Sequence, residues 1–161
     1  MSSLLDEPVQ TTANYARTME QCIEQARALG RTVKLPAANE LQIDIDSEDE
    51  LNGFRARFAR LKKILGEYPS SGEERAETAV GEATWAKAPS PSRKPGRYHV
   101  TVTLPRNVRS HVERIVLQAV LGSDPMREVL NFRRWAHGDE QPTCFFELED
   151  DAKKADPEIP W

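Results

Sequence analysis

The alternation of apolar and polar residues over positions 41–46 constrains the fold more than any other feature of this chain. Because successive side chains of a β-strand point to opposite faces, the apolar residues are predicted to enter a core and the polar residues to share the other face. The apolar set is Leu41, Ile43 and Ile45, and the polar set is Gln42, Asp44 and Asp46. Two carboxylates held close together repel each other, and a bound cation relieves that repulsion. The segment therefore predicts a strand that carries a metal site.

A helix is predicted directly after this strand. Ser47 is a suitable N-cap residue, and Glu50 completes a capping box three residues later. Apolar residues then recur at helical spacing, at Leu51, Phe54, Phe58, Leu61 and Leu65. Further patterns predict a helix over 14–29, a short strand over 85–88, and helices over 109–121 and 125–135. The last helix is expected to turn Met126, Val129, Leu130 and Trp135 toward the core.

Two later segments resemble the first strand in their alternation. The segment at 98–102 places His99 and Thr101 on one face, and the segment at 144–149 presents Glu147 in the same way. After the first helix, the order is strand, helix, strand, strand, helix pair and strand. This is the split βαβ order of ferredoxin-like and RNA-recognition-type folds.

The expected architecture is therefore α+β, a ferredoxin-like sheet with an extra N-terminal helix. Right-handed crossovers would place the first strand centrally, between the His99 strand and the Glu147 strand. Residues 13–150 are predicted to form one domain, with a disordered tip over 1–12 and an acidic, flexible tail over 151–161.

This topology predicts a cluster of polar side chains on the sheet face opposite the helices. Asp44 and Asp46 would lie between His99 and Thr101 on one side and Glu147 on the other. The three carboxylates suit Mg²⁺ or Mn²⁺, which keep coordination positions open for phosphate oxygens. The chemistry expected is metal-assisted phosphoryl transfer, in which His99 contacts phosphate or sugar.

Positive charge is concentrated in one part of the chain. Residues 85–135 carry ten Lys and Arg against three Asp and Glu, although the net charge of the whole chain is −4. The densest group is Arg93, Lys94 and Arg97, close in sequence to His99. A basic group beside a metal site predicts a phosphate-bearing partner, either a nucleoside triphosphate or single-stranded DNA or RNA. Solvated arginines that only aid solubility are the alternative interpretation.

The composition argues against several other classes of protein. No run approaches the roughly 18 apolar residues of a membrane span, and the first residues lack the basic and then apolar pattern of a signal peptide. Cys22 and Cys144 form no Cys-x-x-Cys motif, so neither a zinc knuckle nor a disulfide scaffold is indicated. A cytoplasmic location without membrane contact is expected.

Three short motifs follow each other as Ile43-Asp44-Ile45-Asp46, Arg97-Tyr98-His99 and Phe145-Phe146-Glu147. In kind and order they resemble the catalytic core of the archaeo-eukaryotic primase and primase-polymerase superfamily. The resemblance implies metal-dependent nucleotidyl transfer in DNA replication, with Asp44, Asp46 and Glu147 as metal ligands and His99 as a nucleotide contact. It also implies a replication protein as a partner and, for a phage-encoded member, the bacterial host cytoplasm as location.

The chain departs from that family at two points. Arg97 stands where the family favours a small residue, and only about 40 residues precede the Asp pair. A minimal or degenerate member, of the kind that phages and mobile elements carry, fits better than a complete primase. Such a member would retain nucleotide or nucleic-acid binding without catalysis.

Other interpretations stay open. A sheet that only binds nucleic acid usually exposes aromatic side chains, and Phe145 is the candidate here. A two-histidine phosphoesterase needs a second His-x-Thr or His-x-Ser beside the one at His99, which neither His111 nor His137 supplies. A non-catalytic protein that binds a partner through charged surfaces is the third alternative. The two acids Asp44 and Asp46 also have a purely structural explanation, in which they cap the helix that follows the strand.

Overall fold

The computed structural model describes residues 18–67, 81–92 and 94–148. Within these ranges the chain is α+β, with four helices and five strands. The helices are α1 (Met19–Ala28), α2 (Glu48–Glu67), α3 (His111–Val120) and α4 (Pro125–Ala136), and the strands are β1 (Arg31–Lys34), β2 (Glu40–Ile45), β3 (Thr84–Pro89), β4 (Tyr98–Thr103) and β5 (Phe145–Leu148). The predicted N-terminal tip, the acidic tail and Arg93 lie outside the described residues. No helix among those described combines the length and apolar character that crossing a membrane requires.

The core forms where β2 meets α2, as the alternation predicts. Leu41, Ile43 and Ile45 have no exposed surface, and they cluster with the apolar stripe of α2 and with β4. The helix starts with the expected cap, since the Glu50 N–H donates to Ser47 Oγ at 3.2 Å. The Glu50 carboxylate in turn accepts from the backbone N–H at position 46, at 2.8 Å. Local sequence therefore determines both the strand face and the helix start.

The strands form two small antiparallel sheets in place of the expected four-stranded sheet. β4 is central in the larger sheet, whose order is β2-β4-β3, and β1 pairs with β5 in a separate ladder. The prediction that β2 is central is wrong, because β2 pairs with the His99 strand but not with the Glu147 strand. The α+β class holds, and the ferredoxin-like assignment is not confirmed.

The edge of β2 that faces away from β4 is occupied by the helix pair α3–α4. Backbone groups of a strand edge need hydrogen-bond partners, and here the partners are polar groups of the helices and their connecting loop, at 2.7 to 3.0 Å. The contacts join Arg114 to Glu40, Gln118 and Arg127 to Gln42, and Ser123 and Asp124 to Asp44. These bonds take the place of a further strand, so β5 pairs elsewhere.

The need for hydrogen-bond partners at the β2 edge also decides which side of α4 is buried, and it is the side opposite to the one expected. Its buried side chains, Glu128 and Asn131, are polar. Met126 and Val129, which were expected inside, are 69% and 51% exposed, and Trp135 is 40% exposed. The helix turns its polar side inward because that side carries the groups that bond the β2 edge. The core position expected for Trp135 is also wrong: Trp135 lies on the same side of the helix as Glu128 and Asn131, but it stands next to the last residue of the helix and is 40% exposed.

Candidate functional site

A cleft of about 400 Å³ is lined by parts of β1, β2, β4, β5 and α4 and by the turn between β3 and β4. It brings together four of the predicted site residues, namely Asp44, Asp46, Arg97 and His99. Polar and charged side chains from segments far apart in sequence thus meet at one place. This cleft is the candidate functional site.

Asp44 and His99 are direct neighbours because of strand register. The antiparallel ladder of β2 and β4 pairs Asp44 with His99, so their side chains project from the same sheet face. The distance from His99 Nε2 to Asp44 Oδ1 is 3.9 Å, which is too long for a hydrogen bond. The predicted juxtaposition of the acid and the imidazole is confirmed, but without a direct bond.

Burial makes Asp44 a weaker acid than an ordinary aspartate. Desolvation raises the pKa of Asp44 to about 6, and the Arg127 charge opposes this rise. The nearby carboxylates of Asp46, Asp124 and Glu128 raise that pKa further. Asp44 therefore changes its charge close to neutral pH, where proton uptake or release has the most chemical use.

His99 is held in its neutral form. Burial lowers the pKa of His99 to about 3, and the positive charges of Arg127, Arg31 and Lys34 lower it further. The imidazole stacks on the Phe145 ring, with centroids 3.9 Å apart and planes 8° from parallel. Its Nδ1 is buried and has no hydrogen-bond partner within the described part of the chain. A neutral imidazole beside Asp44 means that the two groups do not form an ion pair, although their distance would allow one.

The raised pKa of Asp44 predicts that Asp44→Asn stabilises the protein at alkaline pH. Between pH 4 and 6 the folded state keeps a proton that the unfolded state has lost, so wild-type stability falls as pH rises through this range. Above pH 7 the asparagine variant should be more stable by about 3 kcal/mol, and below pH 4 the difference should vanish. Urea unfolding at several pH values measures this. Asp46→Asn, at an exposed neighbouring position, is the control and should change stability by less than about 0.5 kcal/mol. Equal stability of Asp44→Asn and wild type at pH 8 would contradict the prediction.

Not all predicted site residues reach the cleft. Glu147 lies on β5 opposite Thr32, with its carboxylate 3.9 Å from Lys34 Nζ, and it is not part of the cleft lining. Thr101 and Lys94 do not line the cleft either. Glu147 is displaced because its strand pairs with β1 and not with β2.

The displacement of Glu147 from the cleft affects the predicted metal site. The described ranges contain no group of three or more His, Cys, Asp or Glu side chains that could hold a metal ion. Asp44 and Asp46 both line the cleft, and Mg²⁺ is commonly held by one or two carboxylates together with substrate phosphates. The two aspartates fit a divalent cation that arrives with a phosphate-bearing ligand, and three-carboxylate ligation by Asp44, Asp46 and Glu147 stays a prediction.

Sequence reasoning missed three arginines of the cleft. Arg31 comes from β1, and Arg127 and Arg134 come from α4. A signal for the last two was present in the sequence, because polar residues recur along one side of α4 at helical spacing, at Asp124, Arg127, Glu128, Asn131 and Arg134. The apolar stripe of the same helix is equally regular, and by hydrophobicity alone it is predicted to be the buried one.

No family model, curated protein or solved structure matches this chain. The resemblance to primases and primase-polymerases therefore depends on the three short motifs alone. Two of them, the Asp44-x-Asp46 pair and His99, contribute side chains to the cleft. The third contributes Phe145 and Phe146 to the lining and leaves Glu147 outside it. Function has to be inferred from the side chains that line the cleft.

Arg127 is the residue that joins the parts of this site. Its guanidinium donates to the Gln42 carbonyl and to Glu128 Oε1, each at 2.7 Å, and it lies over the Phe145 ring at 4.7 Å. A longer bond of 3.4 Å reaches the Cys144 carbonyl. Arg127 thus links the β2 edge, α4 and the start of β5 around the cleft. Its main role is to hold the walls together.

Proposed function

We propose that the cleft binds the phosphate groups of a nucleotide, either free or within single-stranded nucleic acid. The observation that carries this proposal is the convergence of four arginines, Arg31, Arg97, Arg127 and Arg134, on one cleft of about 400 Å³. Arginine presents a planar set of N–H donors that matches phosphate oxygens, and charge-assisted bonds of this kind are the strong ones. A volume of this size suits a small-molecule ligand.

The charge balance of the cleft depends on pH. Arg127 is paired with Glu128, and the other three arginines face three aspartates, Asp44, Asp46 and Asp124. Since the pKa of Asp44 is raised to about 6, the carboxylate contributes its full negative charge only above neutral pH. The low pKa of His99 keeps that ring uncharged at the same pH. A phosphate that enters the cleft would hold Asp44 in its protonated form, or would bind together with Mg²⁺ between phosphate and aspartate.

Arg97 and Arg31 are the arginines best placed to contact the ligand. Arg127 uses its donors on backbone carbonyls and on Glu128. The Arg97 side chain is 38% exposed, with its Nε 3.9 Å from Asp46 Oδ1. Hydroxyls of the turn before β4, at Ser90 and Ser92, also line the cleft and can donate to phosphate oxygens. The arginines and serines named above would contact the ligand, and Arg127 would hold the walls of the cleft together.

Binding without transfer is the function that the residues support best. Nucleotidyl transfer, which the primase resemblance implies, needs divalent cations that neutralise the phosphates. Asp44 and Asp46 would hold such a cation, and Glu147 lies outside the cleft lining. The neutral His99 would offer one ring nitrogen to the ligand. We therefore propose a phosphate-binding module that resembles the catalytic core in its two aspartates and His99, but whose third carboxylate, Glu147, lies outside the cleft lining.

The test is a titration with ATP, with inorganic tripolyphosphate and with a short single-stranded oligothymidylate, each with and without Mg²⁺. We expect Arg97→Gln and Arg31→Gln each to weaken binding about tenfold, the loss of one charge-assisted contact. Arg60→Gln, an exposed residue of α2 away from the cleft, should leave the affinity unchanged. If tripolyphosphate binds as tightly as ATP, the cleft recognises the phosphate groups and not the nucleoside.

The affinity for a free nucleotide and the affinity for single-stranded nucleic acid should differ in their dependence on salt concentration. Binding of single-stranded DNA releases several counterions and should weaken steeply with salt, with a slope that falls in Arg97→Gln. Binding of none of the three probes at low salt, or equal affinity of wild type and both cleft variants, would refute the proposed function.

A further inference from the structure

Asp44 and His99 leave a gap between them that a single oxygen atom can fill. The distance of 3.9 Å from His99 Nε2 to Asp44 Oδ1 is too long for a direct hydrogen bond. An oxygen atom placed in this gap can lie about 2.8 Å from each of the two atoms, with about 90° between its two bonds. Both side chains line the cleft, so an atom of a bound ligand can reach the gap. The chemistry of the two neighbours decides which kind of atom fits.

The surroundings of His99 determine which ring nitrogen carries the proton. The imidazole is neutral, because burial lowers its pKa to about 3, so one ring nitrogen is a donor and the other an acceptor. Nδ1 is buried and meets no acceptor within the described part of the chain, and a buried N–H without an acceptor is rarer in proteins than an acceptor without a donor. The proton is therefore assigned to Nε2. With this tautomer, the ring donates toward the gap and offers no lone pair there to a metal ion.

Asp44 faces the same gap as an acceptor. Its pKa is about 6, so above neutral pH the carboxylate is ionised and only accepts hydrogen bonds. An atom between Nε2–H and this oxygen must therefore accept one hydrogen bond and donate another. A hydroxyl group meets both conditions, whereas an ionised phosphate oxygen only accepts and an ammonium group only donates. Water has the same two capacities, and a hydroxyl of a ligand replaces it without loss of either bond.

We propose that the gap holds a sugar hydroxyl of a free nucleotide, so that the cleft selects nucleotides over their dideoxy analogues. This inference rests on the proposed binding of phosphate in the same cleft. The place of the gap supports it, because Asp46 follows Asp44 by two residues and lies 3.9 Å from Arg97 Nε. Two residues of extended chain span roughly 7 Å, so a nucleotide whose phosphates meet Arg97 can place its sugar beside Asp44. The second oxygen of the Asp44 carboxylate stays available to a cation.

Affinities of the wild-type protein for a series of ATP analogues test the inference without any substitution. ATP should bind at least about tenfold more tightly than 2′,3′-dideoxy-ATP, which is the effect of one hydrogen bond to a charged group. The analogues 2′-deoxy-ATP and 3′-deoxy-ATP then identify which of the two hydroxyls fills the gap. Inorganic tripolyphosphate has no sugar and measures the phosphate contacts alone.

Two substitutions of His99 separate the N–H donor from the rest of the ring. His99→Phe retains an aromatic ring for the stack on Phe145 but has no N–H, so this variant should bind ATP no more tightly than 2′,3′-dideoxy-ATP. His99→Gln offers an amide N–H in place of Nε2–H and should keep the preference for ATP. Arg60→Gln, an exposed residue of α2 away from the cleft, should leave both affinities unchanged.

The outcomes distinguish this inference from the proposed function. Equal affinities of the wild-type protein for ATP and 2′,3′-dideoxy-ATP overturn the inference and leave phosphate binding intact. A preference for ATP that persists in His99→Phe overturns it as well, because another group then contacts the hydroxyl. Binding of oligothymidylate without binding of ATP also overturns it and leaves the proposed function standing. Binding of none of the phosphate probes refutes both.

Discussion

Replacing Arg127 by methionine should lower the free energy of unfolding by about 3 to 5 kcal/mol, the cost of removing one partner of a buried ion pair. Arg127 and Glu128 are 13% and 4% exposed in their side chains, and Nη1 donates to Oε1 at 2.7 Å. The substitution leaves the Glu128 charge buried without its cation. It also removes the donor that the Gln42 carbonyl uses on the β2 edge, at 2.7 Å.

The remaining contacts of Glu128 explain why the loss is large but does not exceed this range. Its carboxylate still accepts from three neutral donors, Ser123 at 2.8 Å, Gln118 at 3.0 Å and Asn131 at 3.2 Å. These bonds satisfy the oxygen atoms without neutralising the charge. In the double variant Arg127→Met/Glu128→Gln no buried charge remains, so part of the lost stability should return.

Urea unfolding of the variants at one protein concentration measures these differences. Arg60→Met, an exposed arginine of α2, is the matched control and should change stability by less than about 0.5 kcal/mol. An Arg127→Met variant as stable as this control would show that the arginine does not hold the β2 edge. A double variant no more stable than Arg127→Met would show that the buried Glu128 charge is not the source of the cost.

The sequence predicts those features of the fold that depend on local periodicity. The core face of β2, the start of α2 at Ser47 and the neighbouring positions of Asp44 and His99 all follow from alternation within short segments. Each requires only that a strand has two faces and that a helix start needs a cap. These features therefore agree between the sequence and the structure.

The position of Glu147 depends on contacts that local patterns do not contain. A ferredoxin-like order would add β5 to the free edge of β2, but that edge is already bonded by residues about 80 positions later in the chain, such as Gln118 and Arg127. Once those bonds form, β5 has a partner only in β1. The third carboxylate of the predicted site is displaced for this reason.

The orientation of α4 follows from the same contacts. This helix has one apolar stripe and one polar stripe with equal regularity, so its pattern predicts a helix without determining which side is buried. The hydrophobic effect alone would bury Met126 and Val129. The β2 edge requires hydrogen-bond partners, and an unpaired buried backbone group costs as much as the burial of a side chain returns. The polar side therefore faces inward, which adds Arg127 and Arg134 to the cleft lining and leaves Met126 and Val129 exposed.

Acidification should destabilise the protein through His99. Burial lowers the pKa of His99 to about 3 in the folded state, whereas in the unfolded chain a histidine titrates near 6.5. Below pH 6.5 the unfolded state therefore binds a proton that the folded state does not, and stability falls as pH falls. At pH 4 the loss relative to pH 7.5 should be about 3 kcal/mol.

Asp44 titrates in the opposite direction over part of this range. Its pKa is raised to about 6, so between pH 6 and 4 its protonation stabilises the folded state and masks part of the histidine effect. The measurement is therefore best made in the Asp44→Asn background, with His99→Gln as the comparison. Urea unfolding from pH 7.5 to pH 4 should show a steeper loss of stability with His99 than with glutamine, by about 3 kcal/mol at pH 4. Parallel pH profiles for the two variants would mean that the imidazole titrates alike in the folded and unfolded chain, and it would then enter the cleft as a cation and pair with Asp44 across the 3.9 Å gap.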